Sequence, residues 1–143
     1  MAKEYRIGYT QGVFDMFHIG HLNLINHAKE YCDCLIVGVN SDELVQTYKH
    51  KKTVINEMER QLIVSNLKAV DQCFIVSTLD KVELWKSIHF DAVFIGDDWK
   101  GNARWAQTEK ELEPYHAKVV YLPHTRGISS TILRQRCDHK IDG

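Results

Sequence analysis

Five short runs rich in β-branched, aliphatic and aromatic residues recur along the chain, at residues 5–9, 35–39, 73–76, 92–95 and 119–122. Several are near-continuous apolar stretches rather than alternating ones, the pattern of strands covered by helices on both faces. Between them apolar residues return at helical spacing. Leu22, Ile25 and Ala28 or Lys29 mark one helix. Leu62, Ile63, Leu67 and Val70 mark a second, opened by a capping signal, Asn56 with Glu59 three residues later. Val82, Trp85 and Ile88 mark a third, and Ile132 and Leu133 give a last helix its apolar face after Ser129. Alternating strand and helix signals predict a parallel sheet with right-handed crossovers. The expected fold is α/β: a single doubly wound, Rossmann-like domain over residues 1–143 with about five parallel strands. In such a domain ligands collect beyond the carboxyl ends of the strands, near the point where strand order reverses. The loops that follow strands are therefore where chemistry is expected.

Composition narrows the class. A chain of 143 residues can bury a core without disulfides or a structural metal. Its formal net charge is -1, so no global basic field argues for a nucleic-acid or membrane partner, and any cationic function must be local. No apolar run approaches the ~18 residues of a membrane-spanning helix, and residues 1–4 lack an apolar signal region. A soluble, cytoplasmic protein is expected. Cys32, Cys34, Cys73 and Cys137 form no C-x-x-C pair and read as reduced thiols.

Four loops carry groups suited to phosphate. The first is Thr10-Gln11-Gly12-Val13-Phe14-Asp15-Met16-Phe17-His18-Ile19-Gly20-His21, between the first strand and the first helix. Gly12 allows a tight backbone turn. His18 and His21, three apart, share a helix face. Gly20 lets an anion approach a helix start that offers N–H groups and a positive dipole end. The same imidazole pair is compatible with a zinc site, or with chance in a chain of eight histidines. The second loop, Lys49-His50-Lys51-Lys52, is either a phosphate clamp or a solvated basic segment. The third, Gly96-Asp97-Asp98-Trp99-Lys100-Gly101, sets two carboxylates where they could hold Mg²⁺ or a substrate hydroxyl, or simply make a turn. The fourth, His124-Thr125-Arg126-Gly127-Ile128-Ser129-Ser130-Thr131, opens the last helix with hydroxyls and a guanidinium; anion binding and plain capping fit it equally. No P-loop or G-x-G-x-x-G occurs. Phosphate handling is the one reading that all four loops share at one end of one sheet.

Taken together, the H-x-G-H loop, the K-x-K-K cluster, the G-D-D-W-x-G loop and the T-x-G-I-S-S-T segment resemble the cytidylyltransferases, the H-x-G-H nucleotidyltransferase group, from Ile7 to about Arg136. The G-D-D-W and Tyr121-Leu122-Pro123 segments resemble the bacterial glycerol-3-phosphate branch, which supplies CDP-glycerol for teichoic-acid-type polymers, more than the phosphocholine branch. The resemblance implies transfer of CMP from CTP to a small phosphorylated alcohol, with glycerol 3-phosphate favoured, and release of pyrophosphate. The alternative is CTP- or ATP-dependent transfer to another phosphorylated acceptor. The resemblance also implies Mg²⁺ held mainly by the nucleotide phosphates, with no direct protein ligand, and a homodimer.

By the same resemblance CTP would be bound by Gly12, Val13, Phe14, His18, Ile19, Gly20, His21 and Lys51, and by His124, Thr125, Arg126, Gly127, Ile128, Ser129, Ser130 and Thr131. The catalytic set would be His18, His21, Lys51 and Arg126. Lys49, Lys81 and Asp98 would bind the acceptor, with Asp15 and Arg60 in support. Three positions depart from the family pattern: Val13 replaces a threonine, His124 an arginine and Arg126 a glutamate. Arg126 is expected to take over the triphosphate contact made by the family's arginine, since a guanidinium is always charged and can bind phosphate with two N–H groups.

Overall fold

The computed structural model describes residues 3–123. Strands β1 (Tyr5–Gly12), β2 (Cys32–Asn40), β3 (Gln72–Val76), β4 (Ala92–Gly96) and β5 (Lys118–Leu122) form one wholly parallel sheet in the order β3-β2-β1-β4-β5. The helices are α1 (Ile19–Tyr31), α2 (Asp42–Lys49), α3 (Glu57–Ser65), α4 (Lys81–Ile88) and α5 (Ala103–Leu112). The chain winds outward from β1 to β3, then crosses back to β4 and β5. Strand order thus reverses between β1 and β4, and a crevice opens beyond their carboxyl ends. The histidine loop and the Gly96-Asp97-Asp98 loop both leave the sheet there.

Each apolar run of the sequence is a strand, and the near-continuous ones have a two-sided core to fill. Leu35, Val37, Val39, Ala92 and Phe94 pack on one face with Ile25 and Ala28 of α1 and Val64 of α3. Tyr9, Ile36 and Val93 pack on the other with Leu84 of α4 and Leu112 of α5. Gly38 is required by this packing, because a Cβ there would collide with the Tyr9 hydroxyl. Among the described residues Cys32, Cys34 and Cys73 are free thiols, and no helix is long and apolar enough to cross a membrane.

Two helices lie outside the sequence pattern. In α2 only Val45 is buried, and in α5 only Leu112. A helix that buries one residue shows no 3.6-residue repeat, so only its cap gives it away. Ser41 accepts from Leu44 N–H, and Asn102 accepts from Arg104 and Trp105 N–H. The apolar face expected for α3 is also corrected. The helix ends at Ser65, and Leu62 and Ile63 face solvent at 61% and 42% exposure. Its buried residues are Arg60 and Val64, while Leu67 and Val70 pack on the core from the segment beyond it. A buried arginine reads as polar, so it shifts the apparent phase of the helix.

Candidate active site

The histidine loop enters α1 through a reciprocal cap. His18 is the residue before the first helical turn. Its Nδ1 accepts from Gly20 N–H at 3.1 Å, and its own N–H donates to His21 Nδ1 at 3.2 Å. This is the logic of a capping box, with two imidazoles in place of the usual hydroxyl and carboxylate. The motif spacing places His18 and His21 together as expected, but the Gly20 N–H is committed to His18 rather than offered to an anion. The rings stack with centroids 3.8 Å apart, and Phe14 and Phe17 flank His21.

The cap decides the chemistry of both rings. An Nδ1 that accepts a backbone N–H carries no proton, so each neutral ring holds its proton on Nε2 and presents an Nε2–H donor. Forming an imidazolium would break the cap. Burial lowers the His18 pKa. Burial, then the neighbouring His18, push His21 down to about 4, with Asp15 pulling weakly the other way. Both rings are neutral donors at physiological pH.

Backbone strain in the loop falls where the sequence does not suggest it. Gly12 ends β1 without a left-handed conformation. The positive φ values belong to Phe14 (54°) and Met16 (49°), and residues so held cluster at functional sites. Gly12 serves instead to admit the Phe14 ring, which lies 3.1 Å from where its Cβ would stand. Two side chains hold the strained loop in place. The Asp15 carboxylate accepts from Val54 N–H at 2.8 Å and Ile55 N–H at 2.9 Å, tying the loop to the segment before α3. Arg60, 1% exposed, donates to the carbonyls of Ile55, Val13 and Asn40 and pairs with Asp42. One guanidinium thus joins the histidine loop, the end of β2 and α3.

The remaining expected residues sit around the same end of the sheet. Lys49 is the last residue of α2, not part of a loop. His50 caps that helix in the left-handed conformation, and Lys51 follows exposed. The Lys49 ammonium lies 5.7 Å from the Tyr48 ring centroid. Partial desolvation, then the charge of Lys51, lower its pKa. Asp98 is exposed in a 3-10 turn over Asp97–Trp99. Lys81 is the first residue of α4 and is only 8% exposed. Burial chiefly, then the charge of Arg104, push its pKa down to about 8, while Asp80 opposes them. Val13 and Gly20 are partly buried and Ile19 exposed in the first loop. His124, Thr125, Arg126, Gly127, Ile128, Ser129, Ser130 and Thr131 lie outside the described residues.

A family model described as cytidylyltransferase-like matches residues 9–136. The chain belongs to this cytidylyltransferase-like family. It is 35% identical over 127 residues to the glycerol-3-phosphate cytidylyltransferase of Bacillus spizizenii, a match covering 88% of this chain and 92% of that protein. It is also 38% identical over 107 residues, 71% of this chain, to the bifunctional protein HldE of Wolinella succinogenes, of which it spans 23%. In fold it is similar to a lipopolysaccharide core biosynthesis protein from Thermoplasma volcanium, with a TM-score of 0.73, 24% identity and coverage of 85% of this chain and 98% of that one.

In this member of the cytidylyltransferase-like family, a polar chain behind the site escapes sequence reading. Tyr9 Oη donates to Gln11 Oε1, and Gln11 Nε2 donates to Asn40 Oδ1 and Thr78 O. Asn40 Nδ2 then donates to Tyr48 Oη at 2.9 Å. These bonds join the ends of β1 and β2 to the loop after β3 and to α2. Arg104 and Trp105, at the start of α5, were equally silent in the sequence. Asn102 ahead of an R-W-A-Q-T-E-K-E-L run was the signal that could have revealed them.

Proposed function

We propose that the chain transfers CMP from CTP to a small phosphorylated alcohol, glycerol 3-phosphate foremost, forming CDP-glycerol and pyrophosphate. The observation that carries this reading is the reciprocal His18–His21 cap, which sets two neutral Nε2–H donors side by side at a helix start in the switch-point crevice. Donors fixed before substrate arrives stabilise charge that develops during reaction without reorganising. Similarity to Bacillus glycerol-3-phosphate cytidylyltransferases along 92% of their length supports the choice of nucleotide and acceptor.

In this reading an oxygen of the acceptor phosphate attacks the α-phosphorus of CTP in line. A new P–O bond forms as the bond from that phosphorus to the α,β-bridging oxygen breaks, and the electron pair leaves on pyrophosphate. The attacking phosphate is already an anion, so no general base is needed. Positioning and charge neutralisation supply the rate. His18 and His21 donate to phosphoryl oxygens through Nε2–H. Lys51 and Arg126 offset the charge of the leaving group, and Lys49 and Lys81 hold the acceptor phosphate. Mg²⁺, carried on the nucleotide phosphates, supplies further neutralisation. Among the described residues, no group of three or more His, Cys, Asp or Glu side chains is placed to hold a metal. The chemistry asks for no nucleophilic side chain, and the cysteines have no part in it.

A second reading keeps the reaction class and changes the partners: transfer from CTP or ATP to another phosphorylated acceptor. Similarity to several HldE proteins favours it. Pyrophosphate release with CTP and with ATP, against a panel of phosphorylated alcohols and sugars, separates the two, with the product identified by mass. CDP-glycerol as the best product is expected; turnover with ATP alone, or with a different acceptor, replaces the first reading by the second. His21→Ala should lower kcat by ~10²–10³ with the fold intact by circular dichroism. A near-normal kcat would remove the histidine from the chemistry.

A further inference from the structure

The acceptor side of the site holds more donors than its lysines. The Lys81 ammonium, on a residue 8% exposed, donates to a single carbonyl, Leu79 O at 2.9 Å. Among the described residues no carboxylate stands within ion-pair distance of it. Asp80, whose charge favours the ammonium, uses its Oδ1 to cap α4, accepting from Val82 and Glu83 N–H. A buried ammonium with hydrogens to spare is unfavourable until an anion completes it.

What covers this ammonium is α5. The Trp105 ring centroid lies 5.3 Å from Lys81 Nζ, within reach of a cation–π contact. Arg104, beside it in the first turn of the helix, is exposed and makes no ion pair among the described residues. Its charge reaches both Lys81 and Tyr48, opposing protonation of each. The Tyr48 oxygen is fixed by the proton it accepts from Asn40 Nδ2, which leaves its own O–H to be donated elsewhere. The Lys81 ammonium thus meets the first turn of α5 at the Trp105 ring, the Arg104 guanidinium is carried on that same turn, and neither cation forms an ion pair among the described residues.

We propose that Arg104, Trp105 and the Tyr48 hydroxyl complete, with Lys81, a subsite for the dianionic phosphate of the acceptor, and that Arg104 is its specificity-determining residue. The inference rests on the reading of the chain as a transferase to a phosphorylated acceptor, and adds to it what selects that acceptor. A phosphate monoester carries up to two charges and three terminal oxygens. Arg104 can meet two of those oxygens with parallel N–H bonds and Lys81 can supply a point charge to one of the pair, leaving the third to attack. Trp105 walls the ammonium from water and so strengthens its field. An unphosphorylated alcohol leaves these donors unmatched, and a phosphodiester offers one charge where the subsite is built for two.

Titration calorimetry with inorganic phosphate and with glycerol 3-phosphate tests this on the full chain, alongside steady-state kinetics. Wild type should bind both. Arg104→Ala should weaken both by about ten- to a hundred-fold and raise the acceptor KM to match, with kcat and the CTP KM nearly unchanged. Arg104→Lys should restore part of the loss, and Trp105→Leu should weaken phosphate binding less than Arg104→Ala does. Arg104 is exposed, so its variants should melt as wild type does. Equal phosphate binding by wild type and Arg104→Ala overturns the proposal, as does a wild type that binds neither ligand. A wild type that binds phosphate through Arg104 yet releases no pyrophosphate from CTP with any phosphorylated alcohol leaves the subsite standing and removes the transfer reading instead.

Discussion

Arg60 and Lys81 are both cations withdrawn from water, 1% and 8% exposed, and the protein treats them in opposite ways. Arg60 donates to three carbonyls on three segments and pairs with Asp42. Its charge is met entirely from within the chain, and the histidine loop is held as a result. Lys81 has one carbonyl and the face of an indole. Its surroundings lower its pKa instead of stabilising its charge. Burial alone does not distinguish a satisfied cation from an unsatisfied one; the partners do. A satisfied buried charge makes structure rigid, whereas an unsatisfied one lowers stability in the free protein and is compensated when a ligand arrives.

The sharpest break of this contrast is Arg60→Ala. Three carbonyls would lose their donor at once and the strained loop its anchor, so the fold should lose ~3–5 kcal/mol, read from urea unfolding. A midpoint equal to that of wild type would show that Arg60 is not framework. Lys81→Met should do the reverse. Acceptor kcat/KM should fall about ten- to a hundred-fold while the melting temperature holds or rises, because an apolar chain of similar length replaces an unpaired buried charge. A large loss of stability in Lys81→Met would make the two cations alike.

The smallest effect is a pH trend that separates stability from binding. Lys81 titrates near 8 in the fold, below its ordinary value. Between pH 8 and about 10 the unfolded chain therefore binds more protons than the folded one, and stability rises with pH. Wild type should close its stability gap to Lys81→Met across that range. Acceptor kcat/KM should fall over the same range, since the ammonium proposed to bind the acceptor phosphate is being lost. Paired melting and kinetic profiles of the two proteins check both slopes; parallel slopes would mean that Lys81 carries neither effect.

The amino-acid sequence determined the five strands, the parallel sheet and the histidine pair. An apolar run of five residues bounded by loops is a local property, and so is an i, i+3 spacing at a helix start. The apolar spacing of α4, at Val82, Trp85 and Ile88, was legible for the same reason. Only the tertiary structure decided the rest. α2 and α5 bury one residue each, too little to imprint a period on the sequence. The phase of α3 was concealed by an arginine that takes a core position because its partners lie 5, 18, 20 and 47 residues away. The proton positions on His18 and His21 follow from which backbone N–H each ring meets. Lys81 and Trp105 come together only because α4 packs against α5. Periodicity and spacing are written along the chain, but the partner that satisfies a buried charge is chosen across it.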